Sequence, residues 1–345
     1  MAFCTQCGTK LNDGARFCMS CGAPVAGAVP AANTAPVAVA APAPNAAPVP
    51  AASPAQAPSP SVPGMVTVIP RGQQLVIPGF GTAGVFIKGR TVTLSAYSIG
   101  KYAVTWELWD EVRQWALKNN YQLAEGQCGV KPVIANPGAE INYQEFLYPA
   151  VGGKGQPVAN ISWDDAMIWC NAYSEKLGLE PVYRIGRFKW ARDKNDLSKM
   201  DWDRSKNGIR LPTAAEWECA ARGGNPNVPD WEYEYAGSDD QEEVAWSCWG
   251  YSDDTSHPVG QKKPNLLGLY DMSGNVDEWC WDWYDYQNIS ADAVVDPIGP
   301  ESSPDYRRTL KGGCFFCPMF QKIEDLHSNN YKGGSACTGF RLVCP

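Results

Sequence analysis

Histidine, positive charge and long apolar runs are all scarce in this sequence, and each scarcity argues against a class of function. Only His257 and His327 occur among 345 residues. A site built on three histidine ligands is therefore excluded, and a histidine-rich metalloenzyme is disfavoured. Lys and Arg number 29 against 37 Asp and Glu, for a net charge of −8. The chain lacks the basic surplus of a phosphate-binding surface, so no nucleic-acid partner is expected. Nor does it carry the charge that draws a protein to an acidic membrane. No 18-residue apolar segment is present. The longest uncharged stretch, Phe17–Pro70, is full of proline and alanine and cannot continue as a membrane helix. The start MAFCTQCGTKL has no basic residue followed by an apolar run, so a cytoplasmic location is expected.

What is present divides the chain into a head (1–22), a linker (23–64) and a body (65–345). The linker holds 11 of the 28 prolines and 16 alanines, with no charged and no aromatic residue. Repeated A-P and A-x-P steps remove backbone donors and fix φ, which favours polyproline II over helix. Fully extended, such a linker reaches on the order of 130 Å at ~3.1 Å per residue. A passive spacer fits it. A docking motif for a Pro-reading partner would need a P-x-x-P-plus-basic pattern, which it does not contain.

Thirteen cysteines do not read as a disulfide framework, because four have metal-ligand spacing and the other nine are odd in number and scattered. Cys4-x2-Cys7 and Cys18-x2-Cys21 are ten residues apart. Two such pairs supply four thiolates to tetrahedral Zn²⁺. A 22-residue head cannot build its own apolar core, so a metal is the expected source of its order. A redox dithiol pair is the other reading. Four protein ligands leave no open position, which makes the metal structural. The head's charge of +1 (Lys10, Arg16, Asp13) does not identify its partner.

All 14 tryptophans lie at or after Trp106. Such rings bury large areas and tolerate short, irregular elements around them. Three helices can be placed. One begins at Thr105, with Trp109, Val112, Ala116 and Leu117 on one face. A second begins at Ser162, with Asp165 at capping-box spacing and Gly178 at its end. A third begins at Thr213, boxed by Glu216 and ended by Gly223. TVTLSAYSIGKYAV alternates as a strand does, and GFRLVC reads as a last strand.

Five motifs then occur in order: PVANISWDDAMIWCNAYS, IRLPTAAEWECAARGG, NLLGLYDMSGNVDEW, LKGGCFF and TGFRLVCP. Across 65–345 the body resembles the formylglycine-generating enzyme, or sulfatase-modifying factor, family. The resemblance implies an α+β, C-type lectin-like fold with short strands and long loops, here preceded by a zinc ribbon. The sequence is also similar to Treponema-type variable proteins of diversity-generating retroelements, whose segments read GNVWEWCWDWY and GFRLVCP.

The resemblance implies further roles. The family's oxidases hold copper with two cysteines after the K/R-G-G-S motif. Cys317 matches the first, but the second position is Lys322, which argues against copper. Cys314 replaces the motif serine, and with Cys317 it makes a C-x2-C that offers a displaced two-sulfur site. Oxidase relatives also bind Ca²⁺ near GNVDEW, and the matching residues are Asp271, Gly274, Val276 and Glu278. A hydrogen-bonded turn is the plainer reading of that stretch.

The segment 314–338 departs from the family pattern while its flanks, K-G-G and G-F-R-L-V, keep it. A diversified surface and ordinary loop drift both fit that contrast. Aromatic and small polar residues there suit adaptable binding. The expected ligand-binding residues are Phe315, Phe316, Cys317, Met319, His327, Asn329, Tyr331, Ser335, Cys337 and Thr338. The leading expectation is a non-catalytic protein that binds a protein or other macromolecule at this C-terminal surface. A copper- and oxygen-dependent cysteine oxidase and a zinc-ribbon adaptor are the alternatives.

Overall fold

The computed structural model describes residues 62–128, 155–186, 189–194, 200–247, 255–285, 289–316 and 319–345, and two short strands near the N-terminus. The chain divides into two compact units, Met1–Ala55 and Gln56–Pro345. In the first, β1 (Ala2–Phe3) pairs antiparallel with β2 (Lys10–Leu11), Ala2 opposite Leu11. Cys4 and Cys7 fall between these strands in sequence. All four head cysteines lie outside the described residues.

The second unit is α+β. Its first sheet is organised on β4 (Thr91–Gly100), which pairs antiparallel with the long strand β3 (Met65–Pro78). Val92, Leu94, Tyr97 and Ile99 of β4 are buried in one core, with the alternation changing phase at the half-buried Ser95 and Ala96. Between Ile69 and Gln74 the register against β4 shifts, and Gly72 turns there at φ 77°. The last strand of the chain closes onto the same β4, as Val343 pairs with Ile99.

Helix α1 (Trp106–Lys118) is capped by Thr105 and buries Trp109, Val112 and Ala116. Leu117 is a correction to the predicted apolar face, since it is 45% exposed. Two short strands, β5 (Gln127–Cys128) and β6 (Val158–Ala159), pair antiparallel with each other. Helix α2 (Trp163–Lys176) has the expected Ser162–Asp165 capping box, and every residue from Trp163 to Ser174 is buried. A helix buried all round must satisfy its polar side chains internally. Asn171 does so by donating to Tyr183 O and Ala191 O and accepting from Val182 N and Tyr183 N. That fastens α2 to the small sheet of β7 (Tyr183–Ile185), β8 (Lys189–Trp190) and β9 (Met200–Trp202).

Helix α3 (Ala214–Ala221) carries the Thr213–Glu216 box, and α4 (Gln241–Val244) is one turn. The second main sheet has the order β13 (His327–Asn330), β12 (Arg307–Lys311), β10 (Asp277–Trp283), β14 (Thr338–Gly339). The first sheet is completed by β11 (Val294–Val295) and β15 (Val343–Cys344). Strand β10 is buried on both faces. Trp279 and Trp281 enter the core around α1 and α2, and Cys280 enters the core around α3 and β4. In the first core Trp109 and Trp169 stack 5.8 Å apart, with Phe340 edge-on to both. The segment 314–338 thus leaves β12, forms the edge strand β13 and returns at β14 beside β10.

Candidate functional site

The motif residues that flank the segment are buried charges. Lys311 is fully buried in the second sheet, and its ammonium donates to Ile323 O at 2.6 Å and Asp325 O at 2.8 Å. Glu218 of α3 pairs with it at 3.3 Å and with Arg222 at 3.3 Å, and also accepts from Val85 N. One buried cation therefore clamps the middle of the 314–338 segment to α3. Arg341, also fully buried, forms a bidentate pair with Glu278 at 2.6 and 2.7 Å and donates to Gly100 O and Tyr270 O. Trp217 Nε1 donates to the same Glu278 carboxylate.

Further backbone bonds sew the segment down. Phe315 N donates to Asn275 O, Asp277 N to Cys337 O, Asn160 N to Ser335 O, and Trp163 N to Tyr331 O. Gln321 donates its side-chain amide to Cys314 O. The ends and several interior points are thus fixed on rigid elements; between them Gln321, Ile323 and Ala336 are buried, while Met319 and Phe320 are exposed.

The expected binding residues separate by burial. Met319 is 60% exposed, and Phe316, His327, Asn329, Tyr331, Ser335 and Cys337 are half-buried. Phe315 and Thr338 are corrections. Both have no exposed surface, because Phe315 turns under β10 and Thr338 sits in the short parallel pairing with it. Cys317 lies outside the described residues. Phe320, which sequence reasoning passed over, is 40% exposed and stacks on His327 with centroids 4.8 Å apart. His327 Nε2 lies 2.8 Å from Asp277 Oδ1. Asp277, the unusual residue of GNVDEW, thus lies beside the imidazole of the edge strand, without a hydrogen bond between Oδ1 and the ring.

Beside this edge lies a cluster that sequence reasoning also missed. The Arg308 guanidinium sits 3.4 Å from the ring centre of Trp283 and 3.7 Å from that of Trp163. It donates to Trp281 O at 2.5 Å, and its Nε has no hydrogen-bond partner. Burial lowers its pKa to about 9 despite the nearby Asp282 and Asp164. Burial likewise raises the carboxyls of Asp164 and Asp282 to about 7 each. Asp282 accepts from Ala214 N at the start of α3, whereas Asp164 Oδ1 has no partner. Spacing of two along β12 and β10 was the only signal available, and it does not report which aromatic rings meet an arginine.

Two adjoining cavities border the segment. One of about 500 Å³ is lined by Asp282, Tyr284, Val294, Ile298, Thr309 and Leu326. Another of about 830 Å³ is lined by Gly84, Lys88, Tyr284, Phe320, Glu324 and Leu326. Tyr284, Ile289 and Leu326 belong to both walls, so the loops around 79–90 and 289–300 meet the segment in one cleft.

The residues expected to hold Ca²⁺ make the following contacts within the protein. Both oxygens of Glu278 are taken up by Arg341 and Trp217. Asp271 accepts from Gly260 N through one oxygen while its other oxygen is buried without a partner. Burial raises its carboxyl to about 6. Gly274 turns at φ 77°, and Val276 is buried. Among the described residues no group of three or more His, Cys, Asp or Glu side chains is placed to hold a metal. Lys322, at the position of the second copper cysteine, pairs with Glu234 at 2.5 Å. Cys314 is buried, and the influence of the Cys337 side chain together with burial pushes its pKa well up. No helix among the described residues is long and apolar enough to cross a membrane.

The comparisons agree with this architecture. The zinc-ribbon domain family matches residues 3–25. "Chaperone protein LppX" of Paenibacillus barcinonensis is 32% identical over 255 residues, covering 68% of this chain and 74% of its own. The formylglycine-generating enzyme of Thermomonospora curvata is 28% identical over 289 residues, 74% of this chain and 84% of its own. The solved structure of Treponema denticola variable protein 1 superimposes with a TM-score of 0.59 at 31% identity, covering 81% of this chain and 94% of that one. The fold is the C-type lectin-like one of these proteins. The sulfatase-modifying factor enzyme 1-like domain matches residues 50–344, and the chain belongs to that formylglycine-generating enzyme family.

Proposed function

We propose that the body is a non-catalytic binding module whose ligand, a protein or another macromolecule, contacts the outward side chains of the 314–338 segment and the cleft beside it. One observation carries this reading. A segment pinned at Lys311, Asn160, Trp163 and Asp277 leaves Met319 and Phe320 exposed and Asn329 and Tyr331 half-buried at the surface. Fixed backbone with aromatic and small polar side chains is the physical recipe of an adaptable contact surface. Similarity to a variable protein supports the same use, including diversification of the segment. Lys322 at the second copper-cysteine position weighs against oxidase chemistry. The head is a structural Zn²⁺ ribbon on Cys4, Cys7, Cys18 and Cys21, joined to the body by the Ala/Pro-rich linker and addressed to a separate partner.

The test is a binding screen of the full chain against the same chain with 316–336 replaced by a relative's segment. Ligands lost on replacement, and regained when Phe320 and Tyr331 are restored, support the proposal. Tight Cu(I) binding with aldehyde formation on a Cys-x-Pro-x-Arg peptide would overturn it in favour of the oxidase. For diversification, the observation is a template repeat beside a reverse-transcriptase gene, differing from this segment only at adenines. A genomic neighbourhood without one removes that part.

A further inference from the structure

Strand β13 is the edge of the second sheet, and among the described residues β12 is its only strand partner. In an antiparallel pair, residues that exchange both backbone bonds alternate with residues that turn theirs away. Two bonds fix the alternation here. Tyr331 N donates to Tyr306 O at 3.3 Å, which continues the register of Asn329 with Arg308 and of His327 with Leu310. Arg307 O instead accepts from Tyr284 N, just past β10 on the other side of β12. Residues 327, 329 and 331 thus bond to β12, and the backbones of Ser328 and Asn330 turn to the open side. Asn330 is satisfied locally, since its N–H donates to Asn329 Oδ1 and its carbonyl accepts from Gly333 N. The Ser328 N–H and C=O have no partner among the described residues, and Ser328 is only half-buried. No proline, lysine or bulge blunts the strand.

Two exposed aromatic side chains flank this edge. Phe320 stacks on His327 at its start, and Tyr306, 63% exposed, lies 6.5 Å from Tyr331 just past its end. Both have left-handed backbones, at φ 66° and 55°. A bulky side chain is rare in that region, where glycine carries no penalty. His327 and Tyr331 share one face of the sheet, ~13 Å apart along the strand at ~3.3 Å per residue. Arg307 and Lys332 are exposed at the Tyr306 end, and neither makes an ion pair among the described residues.

We propose that the partner at this surface is an extended segment of another protein, which adds to β13 as a fifth strand of the sheet. Its backbone takes the Ser328 N–H and C=O. Two of its apolar side chains, four residues apart, meet Phe320 and Tyr306, and an acidic side chain meets Arg307 and Lys332. The free donor and acceptor of one residue are complemented by another backbone, and the two unpaired cations set the sign of the partner's charge. This inference rests on the binding function proposed above and names the partner class and the mode of contact.

The experiment selects displayed random peptides about twelve residues long, enough to span β13 and both flanks, on the full chain. The chain with 316–336 replaced by a relative's segment serves for counter-selection. Peptides specific to the parent are expected, with apolar residues four apart and an acidic residue beside one of them. Single N-methyl groups are then placed along the peptide backbone. Binding is expected to fall by about tenfold or more at the position that faces Ser328 and to persist at both its neighbours, whose N–H groups point away from β13. In the protein, Ser328→Pro removes the outward donor without breaking the β12 ladder, and should weaken the same peptides by about tenfold or more at an unchanged melting temperature. Tyr306→Gly frees the left-handed backbone of its side chain, and should weaken them with no loss of melting temperature. If Ser328→Pro itself unfolds, the N-methyl scan decides, since it leaves the protein untouched. The absence of parent-specific peptides overturns the proposal. So does binding lost alike at neighbouring N-methyl positions, as for a docked helix, or binding indifferent to both protein variants. A dimer of the chain alone that Ser328→Pro dissolves would assign the edge to a second copy and overturn it too. A non-peptide ligand lost on segment replacement, with no peptide selected, removes the strand addition and leaves the binding module standing.

Discussion

Lys311→Met tests whether one buried charge organises the binding segment. Methionine keeps most of the stem's volume, so the change is chiefly electrostatic. The ammonium holds Ile323 O, Asp325 O and Glu218, of which Ile323 and Glu218 are buried away from water and Asp325 is half-buried. A hydrogen bond from a charged donor contributes about 1.5–3 kcal/mol net. Part of that offsets the cost of burying the cation, and breaking one side of a buried pair costs about 3–5 kcal/mol. Glu218 keeps Arg222 and Val85 N, so a loss of about 3–4 kcal/mol is expected, within the margin of an ordinary domain. Urea unfolding followed by tryptophan fluorescence measures it. Hydrogen exchange locates it: amides of 319–326 should lose protection well before those of β4. Combining Lys311→Met with Glu218→Gln should cost less than the two single changes added together, because the second removes the charge that the first leaves unpaired. Additive costs, or protection lost evenly over the whole body, would refute the clamp.

Three other outcomes follow from the same structure. Asp164 and Asp282 have folded-state pKa values raised from 3.8 to about 7, so each is unfavourable to folding when charged. The penalty is fully present above pH 7 and is relieved as pH falls towards the unfolded value; lowering pH from 8 to 5.5 should stabilise the body by about 2 kcal/mol per group. Asp164→Asn should be more stable than the parent at pH 8 and show a smaller pH slope in urea midpoints; an unchanged slope contradicts the assignment. Glu278→Gln leaves Arg341 without its counter-charge and should destabilise by roughly 3–5 kcal/mol, equally in Ca²⁺ and in chelator; a calcium-dependent difference in melting would restore the cation role. In the head, Cys18→Ser should lose the zinc found by metal analysis of the parent chain, and undiminished zinc would exclude four-thiolate ligation.

The helix starts were legible because caps are local chemistry. Thr105, Ser162 and Thr213 each satisfy an N–H three residues on, whatever packs above them. The central strand was legible for a similar reason, since burial alternates with polar residues on either side of the phase change at Ser95 and Ala96. Strand β3 was harder to read, because Pro70 and Gly72 interrupt the pattern where the register shifts. The site was legible only as a place. Matched flanks marked where the segment begins and ends, but not which of its residues turn inward. Phe315 and Phe320 are the same residue type five positions apart, yet one is core and the other surface.

Composition, cysteine spacing and motif order determined by themselves that the chain has a zinc-ribbon-like head and a tryptophan-rich body of one recognisable family. These properties rest on local spacing and on residue type. Tertiary structure alone decided what the charged motif residues do. Lys311 and Arg341 became a clamp and a core ion pair because the strands around β10 bring acceptors from distant segments to them. Contacts between residues far apart in sequence depend on how the sheet is ordered, and no local pattern encodes that order.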